Sequence, residues 1–126
     1  MSFHWSEYLT LAQELSSTAS TSTIQEADLR SAISRAYYAA FGQARAYLVD
    51  IEQVDIPRGV NVHWYVVDSF EQSDESVRRT IGHLLHHLRS TRNIADYENV
   101  FYRDVRGVAR AALSEAEEAI RLLKTL

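Results

Sequence analysis

The stretch Leu29-Arg30-Ser31-Ala32-Ile33-Ser34-Arg35-Ala36-Tyr37-Tyr38-Ala39-Ala40-Phe41-Gly42-Gln43-Ala44-Arg45-Ala46-Tyr47-Leu48 carries the fold class in its spacing. Leu29, Ile33, Ala36, Tyr37, Ala40, Phe41, Ala44 and Leu48 recur three and four positions apart, which lays them in one apolar stripe along an α-helix. The spacing predicts a helix over residues 24–49. A second face carries Arg35, Tyr38, Ala39, Gly42 and Ala46, and small side chains at that spacing let a neighbouring helix come close. No stretch alternates apolar and polar residues at a strand period, and four Gly and one Pro are few. The chain reads as all-α.

Working outward, the N-terminal side predicts a helix over residues 3–17 with Trp5, Tyr8, Leu9, Ala12 and Leu15 on one face. The hydroxyl-rich tract Ser16 to Thr23 follows and reads as a linker, because short hydroxyl side chains compete with helical hydrogen bonds. Thr23 with Glu26, or Ser22 with Gln25, fits a capping box that starts the next helix. On the C-terminal side, residues 50–61 with Pro57 and Gly59 read as a loop, and Asn61 can cap a short helix holding His63, Trp64, Val67 and Phe70. Ser73-Asp74-Glu75 opens a helix over residues 74–97, with acids where the helix dipole favours them. Val77, Ile81, Leu84, Leu85 and Leu88 face inward on it. A last helix over residues 103–124 turns Val105, Val108, Ala112, Leu113, Ala116, Ile120 and Leu123 inward. Four long helices and one short one, on short links, predict an up-and-down helical bundle in which residues 1–126 form a single domain.

Composition narrows the function classes. There is no Cys, which excludes a disulfide framework, a thiolate metal site and a Cys nucleophile. The N-terminus lacks a basic and an apolar region of signal-peptide type, and no apolar run approaches the roughly 20 residues of a membrane span. The expectation is a cytoplasmic protein with no membrane partner. No glycine loop suited to phosphates is present, no Ser nucleophile has supporting partners at a useful spacing, and no cofactor is expected.

A net charge of -4 argues against a general nucleic-acid coat protein. The distribution says more. Residues 78–110 hold seven Arg against Asp96, Glu98 and Asp104, a local net of +4, while the rest of the chain carries -8. Twelve of the thirteen cations are Arg, whose planar fork suits phosphate and carboxylate better than Lys does. A solvated basic face accounts for the same pattern.

The basic segment closes with Arg89-Ser90-Thr91-Arg92-Asn93-Ile94-Ala95-Asp96-Tyr97. Arg92 and Asp96 are four apart and share a helix face, with Asn93 and Tyr97 beside them. Two readings stay open: a phosphate-binding site built on Arg89 and Arg92, or a helix end tied down by an Arg92–Asp96 ion pair with Tyr97 packed against it.

The segment Ser34 to Phe41 on one helix, followed by Arg92-Asn93-Ile94-Ala95-Asp96-Tyr97 at the end of a later one, resembles the HEPN superfamily of small helical domains. The likeness runs over roughly residues 5–124 and implies a HEPN-type bundle of four or five helices. It implies a homodimer whose Arg motifs approach a shared cleft, here packed through the small-residue face of the second helix and the helix of residues 74–97. Many members are metal-independent ribonucleases, often toxins partnered by a nucleotidyltransferase antitoxin; others bind nucleotides or serve as interaction modules. The active ribonucleases carry an Arg, four to six residues, then a His. Arg92 and Asn93 match the start of that motif, and Tyr97 falls in the window where the His is expected.

That departure has a physical cost. Metal-free RNA cleavage needs a base for the 2′-OH proton and donors for charge on phosphorus. The pKa of His lies near 6.5 and that of Tyr near 10, so about one Tyr in a thousand is ionised at neutral pH. The resemblance therefore implies an RNA- or nucleotide-binding protein with weak or absent ribonuclease activity. Arg92, Asn93 and Tyr97 stand in the catalytic positions, and Arg89, Arg92, Asp96, Arg35 and Tyr38 are the candidate ligand-binding groups. A non-enzymatic dimeric module that partners a nucleotidyltransferase is one alternative. A ribonuclease using a histidine elsewhere is another.

Elsewhere means His83, His86 and His87. His83 and His87 are one turn apart and can share a metal with a third ligand such as His63, yet no metalloprotease pattern surrounds them and no metal is expected. They also suit a composite site with Arg92 or a solvated surface.

Overall fold

Tyr37, Ile33, Leu48, Phe70, Ile81, Leu85 and Leu88 are the largest side chains withdrawn from water, and they come from three helices that cross at one core. The computed structural model describes residues 3–126 as helices α1 (Ser6–Thr18), α2 (Gln25–Ala46), α3 (Val62–Glu71), α4 (Ser76–Tyr97) and α5 (Val105–Leu123), with no strand among the described residues. Helix α2 touches α1, α4 and α5 directly, and α3 lies on α4. The predicted stripe from Leu29 to Leu48 is the core side of α2, with only Phe41 partly covered. Burying each large apolar side chain contributes about 1.5–3 kcal/mol.

Ala39 and Gly42 are also fully buried, so α2 is enclosed on a second side. That side is the small-residue face. Trp5, just ahead of α1, covers it at Gly42: a Cβ built there would overlap the indole ring. The absence of a side chain at Gly42 is what lets the Trp5 indole lie against the helix. At Gly42 this face is therefore an internal contact with Trp5.

Four local expectations also change. Helix α1 begins at Ser6 rather than residue 3 and runs through Thr18 into a 3₁₀ turn over Ala19–Thr21. The hydroxyl tract stays helical because its side chains bond back onto helical carbonyls: Ser17 and Thr18 donate to the Glu14 carbonyl at 3.0 and 2.9 Å, and Thr21 to that of Thr18 at 3.1 Å. Neither capping box forms. The Ser22 hydroxyl accepts from the Ile24 amide at 3.1 Å, and the Gln25 amide donates to the Ser20 carbonyl at 3.1 Å. Helix α2 widens into a π-helical turn over Tyr47–Ile51, then breaks at Gln53, whose φ of 56° lies in the left-handed region.

The junctions that place α3 and α4 rest on particular residues. The Asn61 side chain caps α3 as expected, accepting from the Trp64 amide at 3.1 Å. Arg78 pairs with Glu52, donates to the Ser69 carbonyl at 3.0 Å, and lies over the Phe70 ring. Arg30 of α2 donates to the Ala95 and Glu98 carbonyls and covers the last turn of α4. Helix α4 ends at Tyr97, as the sequence predicts, with its terminus tied to α2. No helix among the described residues is long and apolar enough to cross a membrane.

The Trp5–Gly42 contact predicts a sign reversal. Alanine at position 42 gains up to about 1 kcal/mol of helix propensity but overpacks Trp5 at about 1–3 kcal/mol. In urea melts Gly42→Ala is expected to destabilise the chain by about 1–2 kcal/mol, and to stabilise it in a Trp5→Ala background. The same effect in both backgrounds would mean that Trp5 does not fill this face.

Candidate functional site

Where α2, α3 and α4 meet, two consecutive tyrosines of α2 gather three arginines. Tyr37 is 1% exposed and points into the bundle, while Tyr38, one position on, is half-buried. Their rings meet edge-on at 4.9 Å. Arg89 and Arg92 are one turn apart on α4 and reach the two phenols separately. Arg89 donates to the Tyr37 hydroxyl at 3.3 Å, and Arg92 donates to the Tyr38 hydroxyl at 2.8 Å. Arg35 lies over the rings of Tyr38 and Tyr8, 5.0 Å from each centroid, and joins α1 to the cluster. Cation–π contacts contribute about 0.5–1 kcal/mol when exposed and about 2 kcal/mol when desolvated.

The Arg92 side chain is largely enclosed, only 12% exposed. Its guanidinium carbon lies 5.2–5.8 Å from the ring centres of Tyr37, Tyr38 and Tyr97. Nε is 2.8 Å from Oδ2 of Asp96, so the expected i,i+4 pair is formed. The N–H is not aimed at that oxygen, and buried Nε has no aligned hydrogen bond. The contact is a pairing of charges rather than a directed bond. Asp96 also accepts from the Ser34 hydroxyl at 3.3 Å, and Asn93 accepts from Arg92 at 3.3 Å. The negative charge that would oppose an anion is thus neutralised inside the motif.

Tyr97 has its ring beneath Arg92, and it is 71% exposed. The cluster brings Arg35, Tyr38, Arg89, Arg92, Asn93, Asp96 and Tyr97 together through α2 and α4. Of the three guanidiniums, Arg92 alone pairs with the Asp96 carboxylate.

The surface histidines do not join it as a metal set. His86 Nδ1 is 3.1 Å from a Glu71 oxygen, His87 Nδ1 is 2.6 Å from a Glu115 oxygen, and His83 is exposed. No group of three or more His, Cys, Asp or Glu among the described residues is placed to hold a metal ion. His63 lies against Tyr37 and Phe41, not beside His83 and His87.

His63 is the member of the site that its sequence context hides. It comes from the first turn of α3, is 4% exposed, and meets the Tyr37 hydroxyl through Nδ1 at 2.7 Å. Nothing in the His63-Trp64 dipeptide marks a ligand, and the only usable signal is Asn61 as a cap that fixes its direction. Burial first, then the charges of Arg89, His86 and Arg92, hold the imidazole neutral by pushing its pKa down from 6.5 to about 4. Burial also raises the Tyr37 phenol above its ordinary value, against the pull of Arg89.

The family model described as HEPN domain matches residues 6–126. No curated protein and no solved structure matches the chain.

The neutral His63 makes stability depend on pH. Unfolded, the ring takes a proton below about 6.5; folded, only below about 4. The unfolded state binds more protons between those values, so the contribution is complete above pH 6.5 and falls away as pH drops towards 4. At about 1.4 kcal/mol per pH unit, moving from pH 7 to pH 5 is expected to cost the wild type about 2 kcal/mol more than it costs His63→Gln. Equal losses in denaturant melts of the two proteins would show that His63 is free to charge in the folded chain.

Proposed function

The chain belongs to the HEPN domain family, and on that footing we propose that it binds RNA or nucleotide phosphate through Arg35, Arg89 and Arg92 and cleaves RNA weakly or not at all. The observation that carries this reading is three guanidiniums assembled on two phenols with a single carboxylate among them. Phenol oxygens and rings position an arginine without cancelling its charge, so the cluster keeps a net of about two positive charges for an anion. Exposed Tyr97 and half-buried Tyr38 flank these cations, and aromatic faces beside phosphate-binding arginines suit single-stranded nucleic acid.

The chemistry of cleavage is poorly supplied. Tyr97 is accessible but is a phenol rather than an imidazole, and His63 is buried behind Tyr37 and keeps little basicity. General acid–base catalysis contributes about 10²–10⁴-fold, and that factor is what the site forgoes.

A second reading has its own support. Arg92 spends its contacts on the protein; Tyr97 beside it is exposed, as are Val100 and Tyr102 just after α4. Such a surface suits a homodimer or a nucleotidyltransferase partner, in which the motif locks a helix end instead of holding a ligand.

Fluorescence anisotropy with a short single-stranded RNA, read at several salt concentrations, separates the two. Arg89→Ala and Arg92→Ala are each expected to weaken binding about tenfold and to lower the salt slope by roughly 0.7–1, with both variants still folded. Unchanged RNA affinity together with loss of an oligomer would favour the interaction module. Robust metal-free cleavage that depends on Arg92 would overturn the weak-nuclease reading.

A further inference from the structure

We propose that Arg89, Tyr37 and His63 form a proton-linked oxyanion site, in which an anion seated between Arg89 and Arg92 favours protonation of His63, so that binding tightens as the solution becomes acid. The inference rests on the anion-binding reading above and adds how that site is regulated.

The direction of the hydrogen bonds sets the resting state. Arg89 can only donate, so the Tyr37 oxygen accepts from it. The phenol hydrogen then has one acceptor in reach, Nδ1 of His63 at 2.7 Å. With Nδ1 accepting, the neutral imidazole carries its hydrogen on Nε2, which is buried without a partner. The ring is thus held uncharged and half-satisfied, a costly state for a polar group inside a core.

Burial is the first reason it stays uncharged, and the charged groups around it add to that. From α4 come Arg89, Arg92 and His86; from α2 comes the Tyr37 phenol; Glu71 on its own helix is engaged by His86. Every charged group that shifts the ring is a cation. Asp96, the one carboxylate of the cluster, is spent on Arg92 and Ser34.

An anion between Arg89 and Arg92 shifts that balance towards the charged ring. It neutralises two of the three cations that act on His63 and adds a negative charge beside the Tyr37 ring, whose centre lies 5.9 and 5.8 Å from their guanidinium carbons. Bulk water supplies a proton to Nδ1. The Nδ1–H then donates to the Tyr37 oxygen, and the released phenol hydrogen turns towards the anion as a further donor. Trp64, exposed and edge-on to both His63 and His86, covers the imidazole throughout. The ligand class is a phosphodiester, phosphate or sulfate oxyanion, recognised by forked donors rather than by shape.

Sulfate is the probe, because it remains a dianion across the pH range where phosphate titrates. The His63 ring is followed by ¹H–¹⁵N NMR through a pH titration of the wild type, with and without saturating sulfate. Sulfate is expected to raise the His63 pKa by at least about one unit, equivalent to tenfold tighter sulfate binding by the protonated form. An unshifted His63 in a chain that binds sulfate through Arg89 and Arg92 overturns the linkage and leaves the anion site standing. Sulfate that binds the Arg89→Ala/Arg92→Ala variant as well as the wild type overturns both. The readout needs no substitution at His63, so a folding defect there cannot obscure it.

Discussion

A phenol buried where three helices cross must find partners for its oxygen, and the Tyr37 hydroxyl finds them on two of those helices. Nδ1 of His63 comes from α3 and the guanidinium of Arg89 from α4. An unpaired buried hydroxyl costs about 1–3 kcal/mol, so each partner is fixed by the need of the other. Helix α2 supplies the ring, α3 arrives in one orientation because Asn61 caps it, and α4 arrives in one register because Arg89 must reach inward. Arg92, one turn later on α4, is then delivered to Tyr38 without further constraint. The candidate site is a consequence of how the core satisfies one polar atom.

The way the arginines are held decides what they can still do. Carboxylates hold Arg78 and Arg121, and those charges are largely cancelled. Rings and phenols hold Arg35 and Arg89, which fix position but leave the charge in place. Arg92 is intermediate, with one misaligned carboxylate and three rings. The seven arginines of residues 78–110 therefore do not act as one basic face. Arg78 braces a corner, Arg106 and Arg110 line a groove with Glu117, and only Arg89 and Arg92 enter the tyrosine cluster.

The order and kind of the helices are legible in the sequence because an apolar stripe at helical spacing has no better use than a core, and Leu29 to Leu48 is such a stripe. The Asn61 cap and the Arg92–Asp96 pair are legible for the same reason: both are local, three or four residues apart. The misjudged features are those decided by distant neighbours. Small residues at Ala39 and Gly42 announce a close approach but not which helix approaches, and Trp5 lies 37 positions away from Gly42. The hydroxyl tract after Ser16 can break a helix or decorate one, and only the direction of its bonds to Glu14 decides. His63 is 26 positions from the phenol that defines its role, so no local pattern announces it.

Access and basicity, the two properties a proton-transfer base must combine, sit on different residues here. Tyr97 has access: it is exposed and lies beneath Arg92. It offers a phenol where proton transfer near neutrality calls for an imidazole. His63 has the right chemical type, but the core that fixes it also removes its water and surrounds it with cations, leaving it a poor base with no exposed nitrogen. Moving a histidine to position 97 would restore access but place a second titrating cation beside Arg92, where Asp96 is already committed to Ser34 and Arg92. A single substitution at position 97 would therefore not combine access with basicity, because the cations gathered in this cluster also disfavour a charged imidazole within it.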